Sequence, residues 1–339
     1  MANIFSKAKR AITMYANPES YRPKTARLII TTSCQFRCQM CTFWKEKFQN
    51  ADLETIKYWI KELADFGIKE IDIGGGEPLL RNDLTEIIEE VKSYGIRCGL
   101  TTNGWLLSEI PFPPIDYCDV SIDGAKPETH DKIRGIKGAW ERAIKAVETA
   151  KKHQCPVRLN FVLQADNYLE LVDFCHLAKK LKVNASLIPV SLKLAAQPWI
   201  SNDLSKYDIP LLKKQLDEAL KTGVIENNPA FLKIFLKKLE KGPFPQKCLT
   251  PSTCVLIFTN SDVYPCGNFD VVAGNLSKGK SFKDIYKNYE SMRKEVRSGT
   301  HHFCDQCVYS DIVTKGTIRS SVGHFFRKTL EKDKTHSNQ

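Results

Sequence analysis

The chain has 339 residues, of which 42% are hydrophobic and 26% are charged, and this size suits a barrel of about 200 residues or more with an appended module. No run of about 18 apolar residues occurs, and residues 1–24 lack the apolar core of a signal peptide, so we expect a cytoplasmic protein and neither a membrane-spanning nor a secreted one. The net charge of +11 lies mainly in the two tails, which argues against a nucleic-acid partner.

The tails are basic and have apolar residues at helical spacing. Residues 1–24 carry five basic side chains and one acidic side chain, and residues 315–339 carry six basic and two acidic side chains. The tails therefore account for +8 of the net charge. Two interpretations stay open: helices packed on the body of the protein, or amphipathic segments that lie on the inner face of a membrane. The apolar residues are Phe5, Ala8, Ile12 and Tyr15, and then Ile318, Val322, Phe325, Phe326 and Leu330.

Short apolar strands alternate with amphipathic helices through the first 190 residues. Repeated βα units indicate a parallel sheet, and six units followed by a different pattern predict an α/β fold, a partial (β/α)6 TIM-like barrel. Reactive groups lie at the carboxyl ends of the strands in such barrels. The predicted strands are Arg27–Thr32, Glu70–Gly74, Arg97–Thr102, Cys118–Ile122, Val157–Leu163 and Ala185–Val190. The predicted helices are Leu53–Phe66, Leu84–Ser93, Trp140–Lys152 and Tyr168–Leu181.

Three cysteines follow the first predicted strand: Cys34, Cys38 and Cys41. Thiolates this close along a loop can each bind one iron of a four-iron cluster, and with no fourth cysteine in the loop one iron stays open to a non-protein ligand. An open iron indicates catalysis rather than electron storage alone. A zinc knuckle is the alternative, although it normally takes four ligands and paired cysteines.

The Cys-x3-Cys-x2-Cys run after a first barrel strand resembles the hallmark of the radical SAM enzymes. The resemblance implies that S-adenosylmethionine (SAM) chelates the fourth iron of a 4Fe-4S cluster held by Cys34, Cys38 and Cys41. It also implies that one electron from the cluster cleaves SAM to methionine and a 5′-deoxyadenosyl radical, which takes a hydrogen atom from a substrate. A donor such as flavodoxin or ferredoxin would supply that electron.

A glycine-rich run, Gly-Gly-Gly-Glu-Pro, follows the second predicted strand at positions 74–78. Absent β-carbons let a ligand approach the backbone closely, and a carboxylate follows immediately. In the family this run binds the amino end of SAM. The resemblance therefore implies that Gly75, Gly76 and Glu77 receive the ammonium group, with Glu77 in contact with its positive charge.

Polar residues also follow the third and fourth predicted strands. The resemblance assigns Asn103 and Ser121 to the cofactor site, with Ser121 on the ribose or the carboxylate of SAM. It assigns Arg134 to that carboxylate, which a fork of donors suits. For Asn103 and Asp123, which stand next to glycine, turn formation is the equal alternative.

The fifth predicted strand alternates between polar and apolar residues. If its apolar face lies outward under the helices, Arg158 and Asn160 face the barrel lumen. This orientation makes both residues candidates for substrate or cofactor contact.

A second group of cysteines lies beyond the barrel, around a predicted hairpin at Val255–Pro265. Their spacing resembles the twitch domain, the shortened form of the SPASM extension of radical SAM enzymes, which holds an auxiliary 4Fe-4S cluster through Cys248, Cys266, Cys304 and Cys307. Four ligands would close this cluster, so it would serve electron transfer or tune its surroundings. Cys254 could replace one ligand, and zinc stays open as the alternative metal. The other cysteines are predicted to be buried small hydrophobic residues: Cys98, Cys118, Cys155 and Cys175.

These patterns predict five segments: a basic amphipathic segment at 1–24, the radical SAM partial barrel at 25–225, a helical linker at 226–245, a small C-terminal SPASM/twitch-type cluster-binding domain at 246–312 and a basic tail at 313–339. We expect hydrogen abstraction from a small-molecule substrate, sugar- or lipid-linked, with oxidation assisted by the auxiliary cluster. A peptide-modifying maturase is less favoured, because the segment before the barrel is too short for the leader-binding winged helix of some such relatives. A non-catalytic iron–sulfur or zinc scaffold is the alternative of another class.

Overall fold

The computed structural model describes residues 22–45, 49–190, 206–227, 229–242, 248, 250–266 and 271–301. Most of the N-terminal segment, the C-terminal tail, Cys304 and Cys307 lie outside these ranges. The predictions made for those positions therefore stay predictions.

Within the described residues, nine strands form one sheet in the order β6-β5-β4-β3-β2-β1-β7-β8-β9. Neighbours from β1 to β6 pair in parallel, as the βα pattern predicts. All six predicted strands are confirmed within two residues of their predicted bounds. The strands are β1 (Thr25–Thr31), β2 (Glu70–Gly75), β3 (Arg97–Thr102), β4 (Tyr117–Ser121), β5 (Val157–Leu163), β6 (Asn184–Pro189), β7 (Cys254–Ile257), β8 (Asp262–Tyr264) and β9 (Gly274–Asn275).

Helices connect the parallel strands, and short 3-10 turns occur at Phe43–Lys45, Pro78–Leu80 and Tyr168–Glu170. The predicted helix at Tyr168–Leu181 therefore begins as a 3-10 turn. None of the helices in the described ranges combines the length and the hydropathy of a membrane-spanning segment. The helices are α1 (Leu53–Phe66), α2 (Leu84–Ser93), α3 (Pro127–Arg134), α4 (Ala139–Lys152), α5 (Leu171–Leu181), α6 (Ile209–Lys221), α7 (Pro229–Lys241), α8 (Thr250–Thr253), α9 (Phe282–Asn288) and α10 (Glu290–Ser298).

Local sequence sets the bounds of α1 and its buried face. The Asp52 carboxylate accepts a hydrogen bond from the Thr55 backbone N–H at 2.9 Å, and Gly67 ends the helix in the left-handed conformation. Trp59 and Leu63 pack into the same buried core as Leu28 of β1. The helices thus cover one face of the sheet and leave the other face to the lumen.

The segment after α8 continues the barrel sheet. Strand β7 pairs in parallel with β1, and β8 and β9 follow in antiparallel pairing, so the predicted hairpin is confirmed. Ile257 and Phe282 of this segment belong to the main buried core, and the Phe282 ring contacts Phe66 of α1 edge to face. The segment therefore shares the core of the barrel. The domain boundary at residue 246 stays a prediction.

Candidate functional site

The loop after β1 places three thiols at the carboxyl end of the sheet. Cys34, Cys38 and Cys41 share a small apolar cluster with Phe36, whose ring meets Trp105 edge to face at 5.7 Å between centroids. Burial raises the pKa of the Cys34 thiol to about 12, and it also raises that of Cys38. A thiolate at these positions therefore requires a compensating positive charge, such as a metal centre.

Three thiols from one loop form the donor set of this site. Each thiolate of an iron–sulfur cluster binds a different iron, so three thiolates in one loop are a donor set that a multi-iron cluster can use. In the ranges that the structure describes, no group of three His, Cys, Asp or Glu side chains forms a site for a single metal ion.

Backbone hydrogen bonds fix the cysteine loop on two sides. The Gly76 N–H donates to Thr31 O at 2.8 Å, and the Glu77 N–H donates to Ser33 O at 2.7 Å. On the other side, the Gln39 N–H donates to Ile133 O at 2.9 Å, at the end of α3. The loop is therefore held between the end of β2 and the end of α3.

Gly75 and Gly76 are required by this close approach of two backbones. A β-carbon on Gly75 would lie 2.3 Å from Thr31 O, and one on Gly76 would lie 2.1 Å from Ser33 O. Gly75 also has φ +137°, which side chains rarely adopt. The sequence analysis explained these glycines by the approach of a ligand, whereas the described contacts are with the cysteine loop itself.

Substitution of Gly76 by Ala should therefore displace the cysteine loop. We expect the free energy of unfolding to fall by about 1–3 kcal/mol, as for other overpacked sites, and the iron content to fall with it. Gly74→Ala is the matched control, because its β-carbon would meet only ordinary contacts, at 3.5 Å from Arg27 Nε. Chemical denaturation and iron analysis of both variants check this. Equal stability and equal iron in the two variants would contradict it.

The Glu77 carboxylate ties β2 to β3. It is fully buried and accepts hydrogen bonds from the backbone N–H of Leu79 at 3.1 Å, the Thr102 hydroxyl at 2.8 Å and the Asn103 N–H at 2.7 Å. Burial raises the pKa of Glu77 to about 7, although these hydrogen bonds oppose the shift. The carboxylate is thus engaged by the protein, and its contact with an ammonium group stays a prediction.

Glu77→Gln tests this tie. Because an amide NH2 cannot accept a hydrogen bond, at least one donor among Leu79, Thr102 and Asn103 would lose its partner. We expect the free energy of unfolding to fall by about 1–3 kcal/mol. Glu89→Gln on the exposed face of α2 is the control and should change it by less than about 0.5 kcal/mol. The midpoint of urea denaturation measures both, and a Glu77→Gln midpoint equal to that of the control would refute the tie.

Asn103 combines a turn with a contact to the cysteine loop. Its Oδ1 accepts a hydrogen bond from the Trp105 N–H at 2.9 Å. This hydrogen bond forms the turn that the sequence analysis kept as the alternative to cofactor binding. Its Nδ2 points to Cys34 Sγ at 3.8 Å. The structure therefore brings Asn103 together with the cysteines.

Arg134 has a partner in the protein that the sequence analysis did not assign to it. Its Nη2 lies 2.6 Å from the Asp123 carboxylate, and its Nη1 lies 4.0 Å from Cys38 Sγ. The Asp123 carboxylate also accepts the Val162 N–H at 2.7 Å. Any pairing of Arg134 with the SAM carboxylate must therefore compete with Asp123, and this pairing stays a prediction. The sequence did contain a signal for this ion pair, because Asp123 follows the end of β4 and Arg134 is close to it in the sequence.

Other predicted positions are placed as follows. Ser121 is half-buried at the end of β4 and pairs with Asn160 of β5. Cys248 and Cys266 are both buried and share one small cluster with Val296. Cys254 is not part of that cluster and lines the barrel lumen. The four cysteines predicted as buried are confirmed: Cys98, Cys118, Cys155 and Cys175.

The lumen carries charged residues that the sequence analysis noted only in part. Arg158 and Asn160 line a lumen cavity, so their predicted orientation is confirmed. Arg158 pairs with Asp119 of β4, and Arg27 pairs with Asp72 of β2 at 2.7 Å. Asp119, Arg27 and Asp72 are each charged residues between apolar neighbours in a strand, and this pattern was the available signal for them.

Comparisons with known proteins agree with this architecture. The family model described as the Radical SAM superfamily matches residues 28–178. AdoMet-dependent heme synthase of Methanosarcina barkeri is 28% identical over 80% of this chain and 84% of its own length. A probable GTP 3′,8-cyclase of Thermococcus kodakarensis is 31% identical over 60% of this chain and 68% of its own.

Solved structures share the fold at low sequence identity. Streptococcus suis SuiB bound to the precursor peptide SuiA aligns with TM-score 0.63 and 16% identity over 86% of this chain and 71% of that chain. The native anSMEcpe with bound AdoMet and the Kp18Cys peptide aligns with TM-score 0.60 and 17% identity over 93% of this chain and 99% of that chain. At these identities the likeness shows the fold alone. Together with the family match and the curated relatives, it leads to one conclusion: this chain belongs to the radical SAM superfamily and is an enzyme.

Proposed function

We propose that Cys34, Cys38 and Cys41 hold the 4Fe-4S cluster that membership of this superfamily implies, and that the enzyme oxidises a small molecule received in the barrel lumen. The cluster and SAM, when bound, would supply the electron and the radical that removes a hydrogen atom from the substrate, and the auxiliary cluster proposed below would accept the second electron of the oxidation. The observation that carries the proposal is the trio of thiols in one apolar cluster at the carboxyl end of β1.

Buried polar atoms next to the thiols support the fit of these cofactors. Arg134 is buried, and within the described residues its Nε has no hydrogen-bond partner. Asn103 Nδ2 and Arg134 Nη1 point to the sulfurs of Cys34 and Cys38. Donors aimed at ligand sulfurs stabilise thiolate charge and tune the potential of a cluster. These two side chains would therefore orient and tune the cluster ligands.

The loop limits the access of water to Cys38, whereas Cys34 and Cys41 are partly buried. Cys38 is buried, and the rings of Phe36 and Trp105 belong to the apolar cluster around the cysteines. The Trp44 indole N–H donates to Cys38 O at 3.1 Å and links the 3-10 turn after the loop to Cys38. An apolar shell of this kind controls solvent access and local dielectric at a metal site.

The relatives favour a small-molecule substrate over a peptide. The two curated relatives, at 28% and 31% identity, are named for heme and GTP chemistry, whereas the solved structures with bound peptides are only 16% and 17% identical. Peptide modification is the second candidate, favoured by the alignment with anSMEcpe over 93% of this chain. A lipid-linked substrate and peripheral membrane contact rest on the basic tails alone. If the protein co-sediments equally with anionic and neutral liposomes, membrane contact through the basic tails is wrong.

Anaerobic reconstitution tests the reaction class. We expect a brown protein that forms 5′-deoxyadenosine from SAM when dithionite is added, or when flavodoxin or ferredoxin supplies the electron. A colourless protein, or one that forms no 5′-deoxyadenosine, would support a non-catalytic scaffold. Deuterated substrate candidates then identify the substrate, because deuterium must appear in 5′-deoxyadenosine by mass spectrometry.

The auxiliary cluster has a separate test. We propose that Cys248, Cys266, Cys304 and Cys307 bind the auxiliary cluster. Cys248 and Cys266 share a small buried apolar cluster. Reconstituted protein should hold about eight irons per chain, and Cys248→Ala should hold about four. SAM cleavage without substrate should persist in this variant, since the auxiliary cluster does not bind SAM. Equal iron in Cys248→Ala and the wild type would refute the assignment.

A further inference from the structure

Arg37 and Trp44 contact the backbone carbonyl groups of two proposed cluster ligands. Arg37 Nη1 donates hydrogen bonds to Cys34 O and Phe36 O, both at 3.0 Å. The Trp44 indole N–H donates to Cys38 O at 3.1 Å. The Arg37 guanidinium also lies over the Trp44 ring, 5.5 Å from its centre. We call these two side chains the clamp, because together they join the backbones of Cys34 and Cys38.

The backbone of Arg37 is itself held in place by the end of α3. Its N–H donates to Arg134 O at 3.3 Å, and a β-carbon on Gly135 would lie only 2.6 Å from Arg37 O. Arg37 is exposed, and among the residues that the structure describes its guanidinium forms no ion pair with a carboxylate. Its hydrogen bonds go to the cysteine loop instead, so its positive charge stays at the loop without an acidic partner.

The stretch that the clamp contacts is irregular. Residues 34–38 belong to no helix or strand, so side-chain contacts contribute more to the order of their backbone than they would in a regular element. A metal ligand must be held close to its productive position by neighbouring groups, because a loosely supported site loses affinity for its metal. The clamp gives this support to two ligands at once.

The clamp also places a positive charge beside the loop. Net charge, hydrogen bonds and solvent exposure set the reduction potential of an iron–sulfur cluster. A cluster that gains an electron becomes more negative, so a nearby guanidinium stabilises the reduced form and raises the reduction potential. Because Arg37 is exposed, water and salt weaken this interaction, and the expected shift is modest.

We propose that Arg37, supported by Trp44, is a positioning residue: it fixes Cys34 relative to Cys38 and makes the cluster that they hold easier to reduce. Neither side chain of the clamp is a ligand, and both act through the carbonyl groups of residues in the loop. The proposal rests on the proposed function, because it requires that the loop holds the SAM-binding cluster.

Arg37→Gln tests the clamp in the anaerobically reconstituted protein. The midpoint potential is measured by EPR-monitored potentiometry on the signal that changes when SAM is added, which separates this cluster from the auxiliary one. We expect the equilibrium constant for one-electron reduction to fall about threefold, which is about 28 mV at about 59 mV per tenfold change. The chelator concentration that removes half of the iron of this cluster should fall about tenfold, since outer-sphere partners typically change metal affinity by about 10–100-fold.

Three further variants separate the parts of the clamp. Lys45→Gln is the matched control, because Lys45 Nζ lies 5.1 Å from the centre of the same Trp44 ring but is not hydrogen-bonded to the loop carbonyls described above. It should match the wild type in both measurements. Trp44→Phe keeps a ring but lacks the N–H, so it should lower iron retention and leave the potential nearly unchanged. Arg37→Lys keeps the charge and should restore most of the potential.

Two results would overturn the proposal: Arg37→Gln keeps the potential and the iron retention of the wild type, or Lys45→Gln changes both as much as Arg37→Gln does. The second result would mean that surface charge alone acts on the cluster. SAM cleavage by the wild type with dithionite separates this proposal from the proposed function. If 5′-deoxyadenosine forms and either result is found, only the clamp is wrong; if none forms, the proposed function itself is wrong.

Discussion

Replacement of any one of Cys34, Cys38 and Cys41 by Ala is expected to lower reductive cleavage of SAM to below about 1% of the wild-type rate. Loss of even an outer-sphere partner of a metal ligand typically costs about 10–100-fold, and loss of a ligand removes one of the three thiolates that would hold the cluster. 5′-Deoxyadenosine formed under dithionite measures the rate. Iron analysis should show a loss of about four irons per chain in each variant.

Cys175→Ala is the matched control for these variants. Cys175 is fully buried in α5, away from the cysteine loop, and packs in the main core. Its replacement removes one sulfur from the core and should cost about 1 kcal/mol of stability while cleavage persists. If one of the three loop variants kept wild-type cleavage, the cluster would have to be held by other residues and the proposed site would be wrong.

The sequence predicts the barrel well because its signals are local. Each parallel strand is a short segment with a buried apolar face, and α1 has an Asp cap, an apolar stripe and a terminal glycine within one segment. The cysteine spacing is local as well. By contrast, α3 was not predicted as a helix, because Pro127–Arg134 is mostly polar and buries only His130, Ile133 and Arg134. Its position is set by tertiary contacts with the cysteine loop.

Long-range contacts account for the rest of what the sequence could not predict. The pairing of Thr25 with Cys254 joins β1 to β7 across most of the chain, and no local pattern specifies that register. The three donors around Glu77 come from two separate strand ends. The sequence therefore identified Glu77 as important, but its hydrogen-bond partners became apparent only in the folded chain.

The ion pair of Asp123 and Arg134 should be the most costly charged contact to break among those described around the cysteine loop. Both side chains are buried, and the atoms lie 2.6 Å apart. Asp123→Asn keeps the size of the side chain and an oxygen for the Val162 N–H, but it removes the negative charge. Removing one partner of a buried ion pair leaves an uncompensated charge, so we expect the free energy of unfolding to fall by about 3–5 kcal/mol.

Two further variants test whether an unbalanced buried charge causes the loss of stability in Asp123→Asn. Asp123→Asn combined with Arg134→Met should recover part of the loss, because no buried charge then remains unpaired. Asp65→Asn breaks an exposed pair with Lys61 of 2.7 Å, with both side chains more than half exposed, and should cost at most about 1 kcal/mol. Urea denaturation of the reconstituted protein measures all three. If Asp123→Asn cost no more than Asp65→Asn, the Arg134 charge would have to be balanced by the cysteine ligands instead of by Asp123, and Arg134 would be free to pair with the SAM carboxylate.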